Sequence, residues 1–428
     1  MKRLALPTMD RRAAAVADRR TGPMPDRRSL LMLDRRRLLT GGATLALAGP
    51  FASRAFAAAT DDARFVLVIL RGGLDGLAAV PPYGEGAYAR LRGSLALAAP
   101  AANGGVLKLD GLFGLHPALA NLHRMYLAGE LAIAHAVASP YRERSHFDGQ
   151  KVLEAGGTSP STSDGGWLNR ALAALAEESF GRDAIALSDT VPLVLRGPVT
   201  VGSWAPSRLP DTDEDTLARV REIYEAADPI LAARLTEALN ARDLADAAGM
   251  ESGMRAGGQQ LAPLAAAAGR FLAAEDGPRI AVVEAGGWDT HANQGGATGA
   301  LAQRLQQLDN GIASLQRELG PAWARTTVMI VTEFGRTVAA NGTRGTDHGT
   351  AGAAFVVGGA VAGGRMLADW PGLSARDLYE GRDLMPTLDL RALFKGALGE
   401  QYGLSTRALE TEIFPGSSDI APVSFASA

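Results

Sequence analysis

Phe65-Val66-Leu67-Val68-Ile69-Leu70 is an unbroken apolar run, and it ends in the glycine-rich turn Arg71-Gly72-Gly73-Leu74-Asp75-Gly76. A strand with one wet face alternates apolar and polar residues. A continuous run predicts a strand buried on both faces, the usual state of a central strand in a sheet covered by helices. Outward from this run the same pattern recurs. Residues 117–129 carry Leu119, Leu122 and Met125 or Tyr126 at helical spacing, with Gly129 as a stop, and 131–137 reads as the next strand. A third strand is expected at 279–284, running into Gly286-Gly287-Trp288-Asp289. A fourth is expected at 326–332, before Glu333-Phe334-Gly335-Arg336, and a fifth at 353–357, after Asp347-His348-Gly349. Strands alternating with helices predict an α/β fold with a mostly parallel central sheet flanked by helices. Residues from about 211 to 274, rich in Ala, Arg and Glu at helical spacing, are expected to form a helical insertion of two or three helices. A late helix is expected at 388–398, and the tail after Pro415 reads as a surface extension.

The ends and the composition narrow the class. Asp34-Arg35-Arg36-Arg37-Leu38-Leu39-Thr40 precedes a weakly apolar run at 41–51 and the small-residue site Ala55-Phe56-Ala57. A charged region, an apolar region and a small-x-small site make a signal peptide, and the paired arginines resemble the twin-arginine signal that exports folded proteins. The expected partner is the twin-arginine translocase and the expected location periplasmic or extracellular. A Sec signal with extra charge, or an amphipathic helix, is the plainer alternative. Asp-Arg-Arg recurs at Asp10, Asp26 and Asp34, and Met24 or Met32 would suit a short signal better as initiator. The apolar run is too short and too rich in Gly and Ala for a stable membrane span. A net charge of −3 over 428 residues gives no basic excess and no reason to expect nucleic acid. With no cysteine, any metal must be held by Asp, Glu, His or hydroxyl groups.

Several of these strands meet Asp, Glu or His beside glycine in a neighbouring turn: Asp75, Asp289 with His291, Glu333 with Arg336, and Asp347 with His348. Open α/β sheets gather ligands outside the carboxyl ends of their strands, so these groups can converge on a divalent metal: zinc, manganese, magnesium or calcium. Each also has a bland reading. Asp75 suits a turn, Asp289 a helix cap, Glu333 and Arg336 a structural ion pair, and His348, one of six histidines, a satisfied core imidazole. The stretch Ser139-Pro140-Tyr141-Arg142-Glu143-Arg144-Ser145-His146-Phe147-Asp148-Gly149-Gln150 follows the 131–137 strand. Ser145 stands where a helix should begin, so it is either a candidate nucleophile beside unmatched backbone N–H groups or an N-cap. Arg142 and Arg144 either clamp an oxyanion or are merely solvated. Ser145, Arg144 and Arg336 are the candidate catalytic residues.

Together, the signal, the 71–76 turn, 139–150, Gly287-Trp288-Asp289-Thr290-His291, Thr332-Glu333-Phe334-Gly335-Arg336-Thr337 and Gly345-Thr346-Asp347-His348-Gly349 resemble the DUF1501 family over about 65–364 and beyond. That family is grouped by fold with the alkaline phosphatase and sulfatase superfamily. The resemblance implies one alkaline phosphatase-like α/β domain over 58–428, after an N-terminal extension and signal over 1–57. It implies Asp75 as the first-strand metal carboxylate and Ser145 as nucleophile. Asp289 and His291 are similar to an Asp/His metal pair, and His348 to the final metal histidine. Glu333 stands where an Asp-His pair normally follows a strand, with Phe334 in place of that histidine. The implied activity is metal-dependent hydrolysis of phosphate or sulfate esters, small or polymeric. The alternatives are a secreted non-catalytic binding or assembly protein on the same fold, and a hydrolase using metal-bound hydroxide on other bonds.

Overall fold

Strand β1 (Arg64–Arg71) sends alternate side chains into two different cores. Val66, Val68 and Leu70 join one buried cluster, and Phe65, Leu67 and Ile69 another on the opposite face. That division is the physical reason for the unbroken run: with a period of two, both faces are apolar only if every residue is. The computed structural model describes residues 62–161, 164–177, 184–206, 212–247 and 261–425. The arginine-rich segment and its apolar run lie outside the described residues.

In chain order, the main elements after β1 begin with helix α1 (Ala120–Leu127), β2 (Leu131–Ala138), α2 (His146–Ala155) and α3 (Trp167–Glu177). They continue with β3 (Ala184–Leu187), β4 (Gly202–Ser203), α4 (Glu214–Ala227), α5 (Pro229–Ala247) and α6 (Leu261–Ala273). Next come β5 (Ile280–Gly286), α7 (Ala300–Leu319), β6 (Thr326–Thr332) and β7 (Gly352–Val357). The last are β8 (Arg365–Leu367), β9 (Leu388–Asp389) and α8 (Leu390–Tyr402). One sheet takes the order β8-β2-β7-β6-β1-β5-β3-β4, and β9 also pairs with β2. The fold is thus the mostly parallel sheet flanked by helices that the sequence predicts.

Among the described residues, a single strand in this sheet runs against the rest. β7 is antiparallel to both β6 and β2, with Ile330 opposite Phe355 and Val137 opposite Gly352. The start of β7 therefore lies at the edge where β1, β2, β5 and β6 end. The β2–β7 register breaks between His135 and Val137, around Ala136 at φ 55°, which is a bulge at that same edge.

Helices α6 and α7 cover one face, packing on each other and, through α6, on β5. On the other face Trp167 of α3 stacks on Phe394 of α8 at 4.5 Å, beside Phe414. The expected insertion divides accordingly. None of α4 is buried, and it packs against α5, whereas α6 buries Leu261, Ala265, Phe271 and Leu272 in the core. The third helix of the 211–274 stretch is therefore part of the layer on the sheet. Among the described residues, no helix is long and apolar enough to cross a membrane.

Candidate metal centre

Four chain segments meet at the edge where β7 begins. The Arg71–Gly73 turn follows β1, Asp289–His291 follows β5, Glu333–Arg336 follows β6, and Asp347–His348 precedes the reversed β7. A fifth contribution is the start of α2, eight residues beyond the end of β2. Gly72, at φ 123°, permits the close approach: a Cβ there would stand 2.6 Å from the Asp289 nitrogen. Its N–H donates instead to Glu333 Oε1 at 2.8 Å.

Donor atoms of His146, Asp289 and His348 lie within 4.8 Å of one another. His146 Nε2 is 2.9 Å from His348 Nε2 and 3.4 Å from Asp289 Oδ2. His348 Nε2 is 3.2 Å from Asp289 Oδ1. His291 adjoins the group, its Nε2 2.9 Å from both His348 Nε2 and Asp289 Oδ1. Ligands about 2.0–2.1 Å from a tetrahedral ion stand roughly 3.3 Å apart, so these separations fit nitrogen and oxygen donors around one small cation.

The far side of each ring says which nitrogen is free to bind. His348 Nδ1 faces the Arg144 carbonyl at 2.9 Å; a carbonyl only accepts, so Nδ1 carries the proton. His146 Nδ1 faces the Glu333 carboxylate at 2.7 Å and donates to it. In their neutral forms both imidazoles therefore aim an Nε2 lone pair into the same space. Two lone pairs 2.9 Å apart repel unless a proton or a cation lies between them. Carboxylate or carbonyl partners on the distal nitrogen are the usual support of metal-binding histidines.

The electrostatics are tuned around this pair. The Glu333 hydrogen bond raises the pKa of His146 against its partial burial. Burial, with His146 alongside, lowers that of His348. Burial acts to raise the Asp289 carboxyl, but the hydrogen bond and charge of Arg336 outweigh it and hold the group below the usual range. Fully buried Glu333 is likewise held down, against burial, by donors from His146, Gln150 and Gly72. Phe334 closes the inner wall, its ring 4.8 Å from that of His146 and 5.2 Å from that of His348. An apolar wall lowers the local polarity and so strengthens the charge interactions on its side of the cluster.

Among the residues singled out from sequence, Asp289, His291 and His348 come together directly. Glu333 stands behind His146 rather than in the trio. Asp347 stands behind His291, its Oδ1 3.5 Å from Nδ1 and also accepting from Asn341. Asp75 is drawn elsewhere. It is buried, caps the turn Gly76–Ala79, pairs with buried Arg92 and accepts from Gln294 at 2.6 Å. The two guanidiniums expected to meet substrate are also committed. The Arg336 side chain is fully buried, donating to Asp289 at 2.7 Å and to Thr346. Arg144 binds Glu380 and Asp383. Ser145 is the N-cap residue of α2, but its side chain makes no capping hydrogen bond. His146 was not among the expected ligands, although it sits beside Ser145 in the 139–150 stretch. Gln294 and Thr346 were missed as well; they link Asp75 to Arg336 through buried hydrogen bonds.

The sequence matches the family described as Protein of unknown function (DUF1501) over residues 127–413, and the chain belongs to that family. No curated protein matches it. Among solved structures, it is similar to a phosphonate monoester hydrolase of Agrobacterium radiobacter at 14% identity and a TM-score of 0.30, over 71% of this chain and 70% of that one. It is similar to a 2-O GAG sulfatase at 13% identity and a TM-score of 0.32, over 85% of this chain and 73% of that one.

Proposed function

We propose that the protein is an exported metal-dependent hydrolase of phosphate or sulfate esters. The observation that carries the reading is the pair of Nε2 atoms of His146 and His348, 2.9 Å apart with both distal nitrogens tethered. With Asp289 and the neighbouring His291, this donor set suits zinc or manganese better than the oxygen-seeking calcium or magnesium. A divalent ion bound there supplies positive charge to an ester oxyanion.

The chain's own residues supply the rest. Arg336 and Glu333 hold Asp289 and His146 in place. The first turn of α2 offers backbone N–H groups to an anion. Ser145, whose hydroxyl makes no capping bond, is the proposed nucleophile. Its oxygen forms a bond to phosphorus or sulfur as the ester oxygen leaves and takes up a proton. Water then cleaves the serine ester and returns the hydroxyl. Export is proposed to depend on the Arg35-Arg36-Arg37 cluster.

The experiment is metal analysis of protein recovered from the periplasm, with aryl phosphate, phosphodiester and aryl sulfate as substrates. The expected result is about one equivalent of zinc or manganese, turnover of at least one ester class, and metal affinity about 100-fold lower or worse in His146→Ala and His348→Ala. A wild-type protein that binds no divalent metal, or binds it as tightly without both histidines, overturns the metal reading. Failure to reach the periplasm overturns the export reading.

A further inference from the structure

Among the described residues, Arg144 is one of six non-glycine residues in the left-handed region, at φ 59°. That conformation is costly for any residue with a Cβ and persists only where the surroundings over-determine it. Here the surroundings are its own side chain's partners. Nε donates to Asp383 Oδ2 at 2.8 Å and Nη2 to Glu380 Oε2 at 2.6 Å. Asp383 is itself fully buried and takes a second hydrogen bond from Thr350 at 2.8 Å. Arg382, beside Asp383, donates to the His348 carbonyl at 2.6 Å, so this segment grips both ends of the arrangement. What the strained backbone achieves is local: the Arg144 carbonyl receives His348 Nδ1–H at 2.9 Å.

We infer that Arg144 is a positioning residue, whose guanidinium, anchored on Asp383 and Glu380, holds its carbonyl in the left-handed turn that fixes the tautomer and aim of His348. The inference rests on the metal reading above for its affinity readout, but its tautomer readout stands without it. It accounts for an arginine beside the centre whose charge is spent away from any substrate. Alanine removes the anchor and keeps the strain, whereas glycine removes both, because it enters the left-handed region freely.

The test compares Arg144→Ala, Arg144→Gly and Asp383→Asn by zinc affinity, melting temperature and nitrogen NMR of the His348 ring in metal-free protein. Arg144→Ala and Asp383→Asn are expected to weaken zinc binding by about 10-fold or more, in the range seen when a ligand loses its supporting partner. Both should also mix the two His348 tautomers. Arg144→Gly is expected to bind at least about fivefold more tightly than Arg144→Ala and to keep the Nδ1–H form. Adding Asp383→Asn to Arg144→Gly should cost little further, because the anchored side chain is already gone. Equal affinities and unchanged tautomers in the alanine and glycine proteins overturn the inference, as does wild-type behaviour of Arg144→Ala. If wild-type protein binds neither zinc nor any other divalent metal, the metal reading fails and the tautomer comparison alone decides. If Arg144→Ala does not fold, Asp383→Asn with and without Arg144→Gly carries the same comparison.

Discussion

Ser145 separates two roles that one residue type can play at a helix start. Its backbone has N-cap geometry, φ −91° and ψ 126°, yet its side chain accepts nothing from the first turn. Replacing a serine that caps costs about 0.5–2 kcal/mol. Ser145→Ala is accordingly expected to leave the melting temperature and metal content nearly unchanged while abolishing ester turnover. A variant that keeps full turnover retires the serine ester and leaves direct attack by water. At this scale the sequence was only partly informative. Asp289, His291 and His348 could be picked out because each lies in a glycine-bearing turn within a few residues of a strand. His146 could not, because its partners lie 187 and 202 residues away, and nothing local says that its ring turns toward Glu333 and His348 rather than solvent. The signal available was a histidine at the first helical position after a strand end. The reverse applies to Asp75, whose local pattern is the same as that of the clustered residues. The buried Arg92 that claims it lies in a stretch without any marked motif.

At the scale of elements, the turn after β1 shows why glycine is required at one position. The Gly72 N–H reaches Glu333 while its Cα passes the Asp289 backbone, and both contacts depend on the absence of a side chain. Gly72→Ala would combine a positive φ with a contact of 2.6 Å to backbone, which cannot be relieved by rotating a side chain. The expected cost is about 2 kcal/mol or more in stability. A marked loss of metal affinity should accompany it, since Asp289 and Glu333 would be pushed apart. Calorimetry and metal titration of the same sample read both, and a stable variant with wild-type affinity would show that the turn is not a support of the centre. The strands themselves were legible, because a doubly buried strand leaves an apolar run. The direction of β7 was not, since 353–357 reads alike in either sense and only pairing with β6 and β2 decides it. That reversal is what brings His348, which precedes its strand, to the same edge as residues that follow theirs. Whether two or three helices of the 211–274 stretch belong to the insertion stays open in the sequence for a related reason: an Ala-rich helix such as α6 has a composition equally suited to an exposed arm and to close packing on a sheet.

For the whole molecule, the α/β architecture was legible from alternation alone, because covering both faces of the sheet fixes the period of every element. The buried polar network beneath it was not, and it sets how stability responds to acid. His135 lies wholly inside the fold, stacked on Phe113 at 5.3 Å and edge-on to Trp370 at 5.1 Å. Nε2 donates to the Val80 carbonyl at 3.0 Å and Nδ1 accepts from the Ala136 N–H at 2.8 Å, so the neutral ring is fully satisfied. A second proton would break the latter bond in a site closed to solvent, and burial lowers the pKa from 6.5 to about 4. The folded value lies below the unfolded one, so as the pH falls the unfolded chain takes the proton first and is stabilised by it. The contribution of His135 to stability is therefore intact above pH 6.5, declines between 6.5 and about 4, and changes no further below that. Its full size is about 3 kcal/mol, taking 1.36 kcal/mol per unit of pKa. His116, whose pKa burial also lowers, acts in the same direction. His135→Gln can keep a donor to Val80 and an acceptor for Ala136 while removing the titration. Whatever it costs at neutral pH, its stability measured by denaturant between pH 7 and 4.5 is expected to fall less steeply than that of the wild type. Parallel curves for the two proteins would mean that His135 is protonated in the fold as easily as outside it, and that the acid sensitivity of the molecule lies in its carboxylates.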